Sequence, residues 1–191
     1  MKWKSFIGSF VIVIILVVVL SINSVIRIYF PLHYSEHIEN YSKKYNLNPY
    51  LVAAIIRTES NFKPEAKSPK NAYGLMQITS STGEWAAKEM KIDSFSVEQL
   101  TDPEYNIRMG CWYIDNLKKE FQGNMDLVIA AYNGGRGNVQ KWLADEEHSK
   151  DGKNLYYIPF KETDKYVKRV KVYYNLYKLL YSKSFENKYI K

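Results

Sequence analysis

Hydrophobic residues dominate the first thirty positions of the chain and then recur at helical spacing as far as residue 181. No charged residue occurs between Lys4 and Arg27, and residues 6–20 are nearly all Ile, Val, Leu and Phe. In an α-helix, the 22 uncharged positions 5–26 would extend roughly 33 Å, close to the ~30 Å hydrocarbon core of a bilayer. The pattern therefore predicts one N-terminal transmembrane helix within residues 1–30.

The flanks of this segment indicate its orientation. Lys2 and Lys4 precede it, which predicts a cytoplasmic N-terminus and an exported C-terminal part. A cleaved signal peptide, giving a secreted protein, is the alternative, although residues 19–21 match a small-residue cleavage site poorly. A lipoprotein is excluded because the sole cysteine, Cys111, lies far from this segment. Residues 31–35 are expected to form a juxtamembrane connector.

The remaining pattern predicts an all-α domain over residues 36–181, followed by a polar tail at 182–191. Apolar positions at spacings of three and four predict helices at 34–45, 49–60, 81–90, 103–121, 126–132 and 164–181. The expected N-caps are Asn48, a capping box from Ser81 to Glu84, Asp102 and Thr163. No segment shows convincing strand alternation, so at most a small β-hairpin is expected, within 61–80 or 150–160.

Charge and composition narrow the range of partners. Residues 31–191 hold 24 of the 27 Lys and Arg residues and all 20 Asp and Glu residues, a net charge of +4. This mild excess suits an acidic cell-surface polymer, and no arginine-rich stripe indicates nucleic acid. A single cysteine excludes an intramolecular disulfide, and its apolar surroundings predict a buried side chain. His33 and His37 are spaced i, i+4 as a possible metal pair but lack a third ligand, and His148 is flanked by polar residues, so no metal or cofactor is expected.

Glu59 lies at the polar end of an otherwise apolar helix. Leu51, Ile55 and Glu59 share one helical face. A carboxyl group beside apolar side chains and near the negative end of a helix holds its proton more tightly than a solvated one. Such a group suits general acid catalysis near neutral pH. The alternative is a solvated glutamate paired with Arg57 or Lys63.

Four short segments place polar groups at helix ends beside glycine or aromatic residues. They are Glu59-Ser60, Gly74-Leu75-Met76-Gln77, Ala131-Tyr132-Asn133-Gly134-Gly135 and Glu162-Thr163-x-x-Tyr166. In this order and spacing they resemble the catalytic domain of the soluble-type (SLT-domain) lytic transglycosylases, relatives of goose-type lysozyme. The resemblance covers roughly residues 36–181. It implies a lysozyme-like α-helical fold that cleaves the β-1,4 bond between N-acetylmuramic acid and N-acetylglucosamine in peptidoglycan.

The resemblance also implies a mechanism and a set of site residues. In that family the glutamate of the Glu-Ser motif, here Glu59, is the only catalytic carboxylate. It protonates the glycosidic oxygen and then accepts a proton from the C6 hydroxyl, which attacks C1 to leave a 1,6-anhydro end. Substrate binding is implied for Ser60, Gly74, Met76, Gln77, Ala131, Tyr132, Asn133 and Tyr166, with a supporting role for Glu162.

The residues themselves are compatible with this mechanism. Between Glu59 and Gln77 the only other acid is Glu65, in a proline-rich loop. Intramolecular attack needs no second carboxylate, because the nucleophile is already tethered to the reacting carbon.

Two alternatives stay open on the sequence alone. The first is a hydrolase of the same fold, with Glu162 or Glu65 as the base. The second is a non-catalytic glycan-binding module of an envelope complex, against which the shielded Glu59 argues. The expected partners are peptidoglycan strands and, through the N-terminal helix, the cytoplasmic membrane, with the domain on the outer side of a bacterial cell.

Overall fold

The computed structural model describes residues 2–185, and their side chains except those of residues 2–9, 19, 20, 23 and 183. The chain divides into two compact units, one ending at His33 and the other beginning at Tyr34. The first unit contains helix α1 (Lys2–Tyr29). Among the described residues, no helix combines the length and apolarity needed to cross a bilayer. The predicted transmembrane anchor is therefore not confirmed.

The second unit is mostly helical. Its helices are α2 (Ser35–Lys44), α3 (Pro49–Glu59), α4 (Ser80–Glu89), α5 (Pro103–Glu120), α6 (Met125–Gly134), α7 (Arg136–Ala144), α8 (Lys161–Leu180) and α9 (Ser182–Phe185). Strands β1 (Ala72–Tyr73) and β2 (Ile78–Thr79) form an antiparallel hairpin, with Ala72 opposite Thr79. The helical class and the small hairpin within 61–80 are confirmed.

Helices α3 and α5 begin where local chemistry predicts. The Asn48 side chain accepts a hydrogen bond from the backbone N–H of Tyr50 at 3.0 Å, and Pro49 occupies the first turn. Likewise, the Asp102 carboxylate accepts from the N–H of Tyr105 at 2.7 Å. Each cap satisfies a backbone donor that the first helical turn leaves without a partner.

Two other predicted caps are wrong. The N-cap of α4 is Thr79 rather than Ser81, and its Oγ1 accepts from the N–H of Thr82 at 3.2 Å. Helix α8 begins after Phe160, so Thr163 lies inside the helix with 2% of its surface exposed. In place of capping, Thr163 packs against Gly134, where an added Cβ would lie 2.9 Å from the threonine hydroxyl.

Two structural elements were not predicted from the sequence. A 3₁₀ turn at Val97–Thr101 carries its own capping box from Ser96 to Gln99. Helix α7 starts directly after Gly135 without a side-chain cap. Gly135, with a φ of +87°, permits α7 to follow α6 at once.

The core is built around α3. All eight residues from Pro49 to Ile56 are buried, and α3 packs against both α2 and α8. Removing a Val, Leu or Ile side chain from water contributes about 1.5–3 kcal/mol. This central placement carries the C-terminal end of α3, and with it Glu59, to a partly shielded position.

The segment from 182 was expected to begin a polar tail. Phe185 is instead buried and packs edge-on against Tyr50 with ring centroids 5.2 Å apart. The Tyr50 hydroxyl donates to the carbonyls of Tyr181 and Ser182 at 3.0 and 3.1 Å. The rest of the expected tail, residues 186–191, lies outside the described part.

Candidate active site

Glu59 is the last residue of α3 and is half-buried. The hydroxyl of Tyr166, from α8, donates to Glu59 Oε1 at 2.7 Å. Burial raises the pKa of Glu59 from 4.5 to about 7, while the Tyr166 hydrogen bond opposes the rise and the charge of Glu162 adds to it. Glu59 therefore titrates near neutral pH, far above the usual range of a glutamate. This is the shielded glutamate that the sequence predicts rather than the solvated alternative.

Tyr166 donates a hydrogen bond to Glu59 throughout the pH range in which Glu59 titrates. Only 7% of its surface is exposed, and burial raises the pKa of its phenol well above 10. It therefore remains protonated at any pH at which Glu59 titrates. Because its hydroxyl occupies Oε1, the transferable proton of Glu59 is left to Oε2.

Two polar clefts share Asn133 as a lining residue. The first, hereafter the acid cleft, has a volume of about 250 Å³, and its lining includes Glu59, Asn133, Glu162, Lys165, Tyr166 and Arg169. The second, the hairpin cleft, has a volume of about 220 Å³ and includes Gln77, Thr79, Tyr113, Tyr132 and Asn133. Asn133 contributes to the lining of both clefts, which are together called the groove below.

Ser60 ties the end of α3 to the hairpin loop. Its hydroxyl donates to the Leu75 carbonyl at 2.8 Å and lies 3.2 Å from the Ile56 carbonyl. Only 7% of Ser60 is exposed. The Ser60 hydroxyl is therefore engaged by backbone carbonyls and fixes the residue next to Glu59.

Asn106, on α5, organises the same loop and was missed by the sequence analysis. Its side-chain oxygen accepts from the N–H of Met76 at 2.7 Å, and its amide nitrogen donates to the carbonyls of Tyr73 and Leu100 at 2.9 and 2.8 Å. The residue is fully buried. A polar side chain on the apolar face of an amphipathic helix was the signal that could have revealed it.

Gly74 permits the approach of Asn106. Its φ is +75°, and an added Cβ would lie 2.1 Å from the Leu100 carbonyl and 2.3 Å from the Asn106 amide nitrogen. Only glycine fits such a position. The glycine therefore makes room for the protein itself, although close approach of the glycan was the expectation.

Met76 and Ala131 were also expected to bind substrate. Both have no exposed surface, so their side chains are not available for direct contact with a substrate. The Met76 carbonyl accepts from the hydroxyl of Tyr132 at 2.8 Å. The phenol of Tyr132 is thus already engaged, which leaves the ring as its contribution to the groove.

The two amide side chains of the motifs differ in their remaining hydrogen-bonding capacity. Gln77 donates from Nε2 to the carbonyls of Ala66 and Gly74, both at 3.0 Å. Its donor is used within the loop, and its oxygen remains as an acceptor. Within the described residues, the Asn133 side chain makes no hydrogen bond, so both its donor and its acceptor are available.

A row of half-exposed aromatic rings continues from the hairpin cleft. Tyr132 and Tyr113 have centroids 5.4 Å apart, Tyr113 and Trp85 6.2 Å, and Trp85 and Trp112 4.9 Å. Sequence analysis singled out only Tyr132 among these, because rings on α4, α5 and α6 meet only in the fold. Such rings offer apolar faces with polar edges.

The remaining candidates contribute less to this site. Glu162 is exposed, and its carboxylate lies 4.0 Å from Lys70 Nζ. Glu65 is exposed and lines neither cleft. Cys111 is buried as predicted, and burial raises the pKa of its thiol. Among the described residues, the mostly exposed Asp145, Glu147 and His148 are the only group within reach of one metal ion.

The sequence of this domain matches a known protein family and its members. Residues 36–155 match the family model of the transglycosylase SLT domain. The chain is 38% identical over 146 residues to the soluble lytic murein transglycosylase of Escherichia coli (strain K12), which covers 75% of this chain and 23% of that protein. It is 36% identical over 122 residues to the membrane-bound lytic murein transglycosylase C of Serratia proteamaculans, which covers 59% of this chain and 34% of that protein.

Comparison with solved structures leads to the same family. The crystal structure of the 70-kDa soluble lytic transglycosylase from Escherichia coli superimposes with a TM-score of 0.71 and 35% identity, covering 78% of this chain and 25% of that one. The mostly helical, lysozyme-like class predicted from the sequence is thereby supported. The chain spans about a quarter of the length of these soluble relatives, which are themselves lytic transglycosylases by name.

Proposed function

Because the chain belongs to the transglycosylase SLT domain family, we propose that it is a peptidoglycan lytic transglycosylase with Glu59 as its catalytic acid and base. The observation that carries the proposal is the state of Glu59. It lies in a polar groove, its pKa is about 7, and one of its oxygens is fixed by Tyr166. A group with this pKa gives and takes a proton with nearly equal ease at neutral pH.

The reaction proceeds in two proton transfers. Glu59 gives its proton to the glycosidic oxygen, and the bond from that oxygen to C1 of the muramic acid breaks, with the electron pair leaving on the oxygen. The carbonyl of the 2-acetamido group stabilises the charge at C1, as in substrate-assisted glycosidases. The C6 hydroxyl oxygen then bonds to C1, and its proton passes to Glu59. The products are a 1,6-anhydro end, a free 4-hydroxyl and the original acid, with no water consumed.

The groove supplies the binding groups for this reaction. Asn133 lines both clefts, and its amide, which makes no hydrogen bond within residues 2–185, is available to hold an acetamido group. The Gln77 oxygen accepts from a sugar hydroxyl or N–H. The rings of Tyr132 and Tyr113 pack against sugar faces. Four other motif residues act indirectly, because they are buried and support the residues that carry these groups: Ser60, Gly74, Met76 and Ala131.

A hydrolase of the same fold is the second candidate, and one observation favours it. Glu162 lines the acid cleft together with Glu59 and raises the pKa of Glu59 through its charge. In a hydrolase, Glu162 would activate a water molecule for attack at C1. The exposed carboxylate of Glu162 beside Lys70 suits a supporting electrostatic role better than that of a shielded base.

Digestion of purified peptidoglycan tests the proposal. We expect products ending in 1,6-anhydromuramic acid, one water lighter than reducing-end products, as measured by mass spectrometry. Glu59→Gln removes the transferable proton and should lower the rate towards the high end of the about 10²–10⁴-fold range typical of acid–base catalysis. Glu89→Gln, at an exposed position on α4 that lines neither cleft, is the matched control and should retain wild-type activity.

Three results would separate the candidates. Reducing ends that depend on Glu162 would identify a hydrolase. Glycan binding without any cleavage by the wild type would identify a binding module. Retention of more than about a tenth of the activity in Glu59→Gln would show that another group is the acid.

We also propose that the N-terminal segment anchors the domain at the outer face of the cytoplasmic membrane. The support is the absence of charge from residues 5–26 and the two lysines before them. One relative carries the description membrane-bound. Protease added to wall-stripped cells should remove the domain from the cell surface. Recovery of a soluble protein beginning near Ser21 or Ser24 would show instead that the segment is a cleaved signal peptide.

A further inference from the structure

Lys165 and Arg169 lie on the wall of the acid cleft, one turn apart on α8. Side chains at i and i+4 of a helix are neighbours, and like charges placed there repel each other. Both side chains are exposed at the mouth of a cleft that also contains Glu59 and Tyr166. The repulsion between Lys165 and Arg169 destabilises the free protein slightly, and a bound anion would relieve it.

The rest of α8 shows how its cations are normally compensated. Lys168 pairs with Asp164 at 2.7 Å, and Lys171 pairs with Asp126 at 2.7 Å. Within residues 2–185, by contrast, neither Lys165 nor Arg169 forms an ion pair. These two cleft cations lack the carboxylates that compensate Lys168 and Lys171.

The acids of the cleft do not serve as partners. Glu162 lies at the cleft wall, but its near neighbour is Lys70 at 4.0 Å. The side chain that shifts the pKa of Glu59 through its charge is Glu162, which raises it, and neither cation contributes. Lys165 and Arg169 line the cleft without lowering the pKa of Glu59, so they do not weaken it as a proton donor.

We propose that Lys165 and Arg169 bind a carboxylate of the glycan strand beside the bond that Glu59 cleaves. The inference rests on the proposed function and specifies its substrate: a muramic acid that carries an anionic substituent. Two sources offer this chemistry, namely the lactyl carboxylate of a strand without peptide stems and the carboxylates of an attached stem. An arginine and a lysine together hold a carboxylate by paired hydrogen bonds and by charge.

Three glycan substrates distinguish the sources. The first carries intact peptide stems, the second has its stems removed so that the lactyl carboxylate is free, and the third is the second after conversion of its carboxylates to neutral amides. kcat and KM are measured for the full-length wild type and for the double variant Lys165→Gln/Arg169→Gln. Lys168→Gln, on the same helix and ion-paired outside the cleft lining, is the matched control.

The double variant should lose about tenfold in kcat/KM on a carboxylate-bearing substrate, mainly through KM, because two exposed charge contacts together contribute about 1.4 kcal/mol. The loss should shrink at high salt, and Lys165→Arg/Arg169→Lys should restore most of the activity. The amidated strand should be cleaved equally by all variants. A loss confined to the stem-bearing or to the stripped substrate identifies the stem or the lactyl group as the anion, and a loss on both shows that either is accepted.

An unchanged kcat/KM on both charged substrates, or an equal loss on the amidated strand, would overturn the inference. Binding of the same three polymers is measured in parallel in the Glu59→Gln background. If the wild type cleaves no glycan but the charge-dependent binding difference persists, the proposed reaction fails while the carboxylate site stands. If cleavage yields anhydro ends without any charge dependence, the reaction stands and the carboxylate site fails.

Discussion

Replacing Glu59 by glutamine should stabilise the folded protein at alkaline pH while abolishing catalysis. The pKa of Glu59 is about 7 in the folded state and 4.5 in the absence of shielding. Between pH 4.5 and 7 the folded protein holds a proton that the unfolded chain has released. Stability of the wild type therefore falls as pH rises through this interval, because the unfolded state binds fewer protons.

The size of the effect follows from the same two values. Their separation corresponds to about 3 kcal/mol, at roughly 1.4 kcal/mol for each tenfold change in proton affinity. Glutamine has nearly the same shape, still accepts from Tyr166 and carries no charge to desolvate. The difference in unfolding free energy between variant and wild type should be near zero below pH 4.5 and reach about 3 kcal/mol above pH 7. For a chain of this size, that is about 6–12 °C in Tm.

Urea unfolding of the full-length protein in a mild non-ionic detergent measures the difference, followed by tryptophan fluorescence at pH 4.5, 6, 7.5 and 9. Glu65→Gln is the control and should change stability by less than about 0.5 kcal/mol, as is usual for an exposed position. A Glu59→Gln protein that is less stable than the wild type at pH 9, or more stable by under 1 kcal/mol, would refute the shielded acid. The groove would then hold a solvated glutamate.

Three further outcomes are expected. Tyr166→Phe removes the hydrogen bond that stabilises the charged form of Glu59, so the alkaline limb of the pH profile of kcat/KM should move to higher pH. kcat and kcat/KM should also fall together by about tenfold. A large loss of Tm with normal kinetics would mean that the hydroxyl is structural. Glu162→Gln removes a negative charge near Glu59, so the same limb should move to lower pH; an unchanged profile would show that the two carboxylates do not interact. Asn106→Ala leaves buried partners of three hydrogen bonds unsatisfied and should cost about 3 kcal/mol or more in urea unfolding, whereas a cost below 1 kcal/mol would exclude Asn106 as the organiser of the loop.

Local sequence determined much of the fold. Helices α3 and α5 begin directly after Asn48 and Asp102 because a capping side chain and the proline after it act on adjacent backbone. This signal is therefore independent of the rest of the chain. The start of α4 was misplaced for the converse reason. Residues 79–82 are all Thr or Ser and can all cap a helix, and only the end of strand β2 selects Thr79.

For the site, too, some features can be predicted from local sequence and others depend on tertiary packing. An acid at the end of an apolar helix is visible in the sequence, because the 3.6-residue period alone places Glu59 in line with Ile55 and Leu51. Its partner is not visible, because Tyr166 is 107 residues away and meets Glu59 only when α8 packs against α3. Burial by both helices also sets the size of the pKa rise, which periodicity does not measure.

The sequence by itself determined which residue types the site contains, and the tertiary structure decided which of them remain available to a ligand. Gln77 and Tyr132 carry donors suited to sugars, yet carbonyls of the hairpin loop and of Ala66 already accept from them. Within the part of the chain that the structure describes, the Asn133 amide makes no hydrogen bond, and neither Lys165 nor Arg169 forms an ion pair with a carboxylate. The physical reason is that each polar atom makes a limited number of hydrogen bonds and ion pairs. Whether the protein itself or a ligand takes them depends on segments far apart in the chain that only folding brings together.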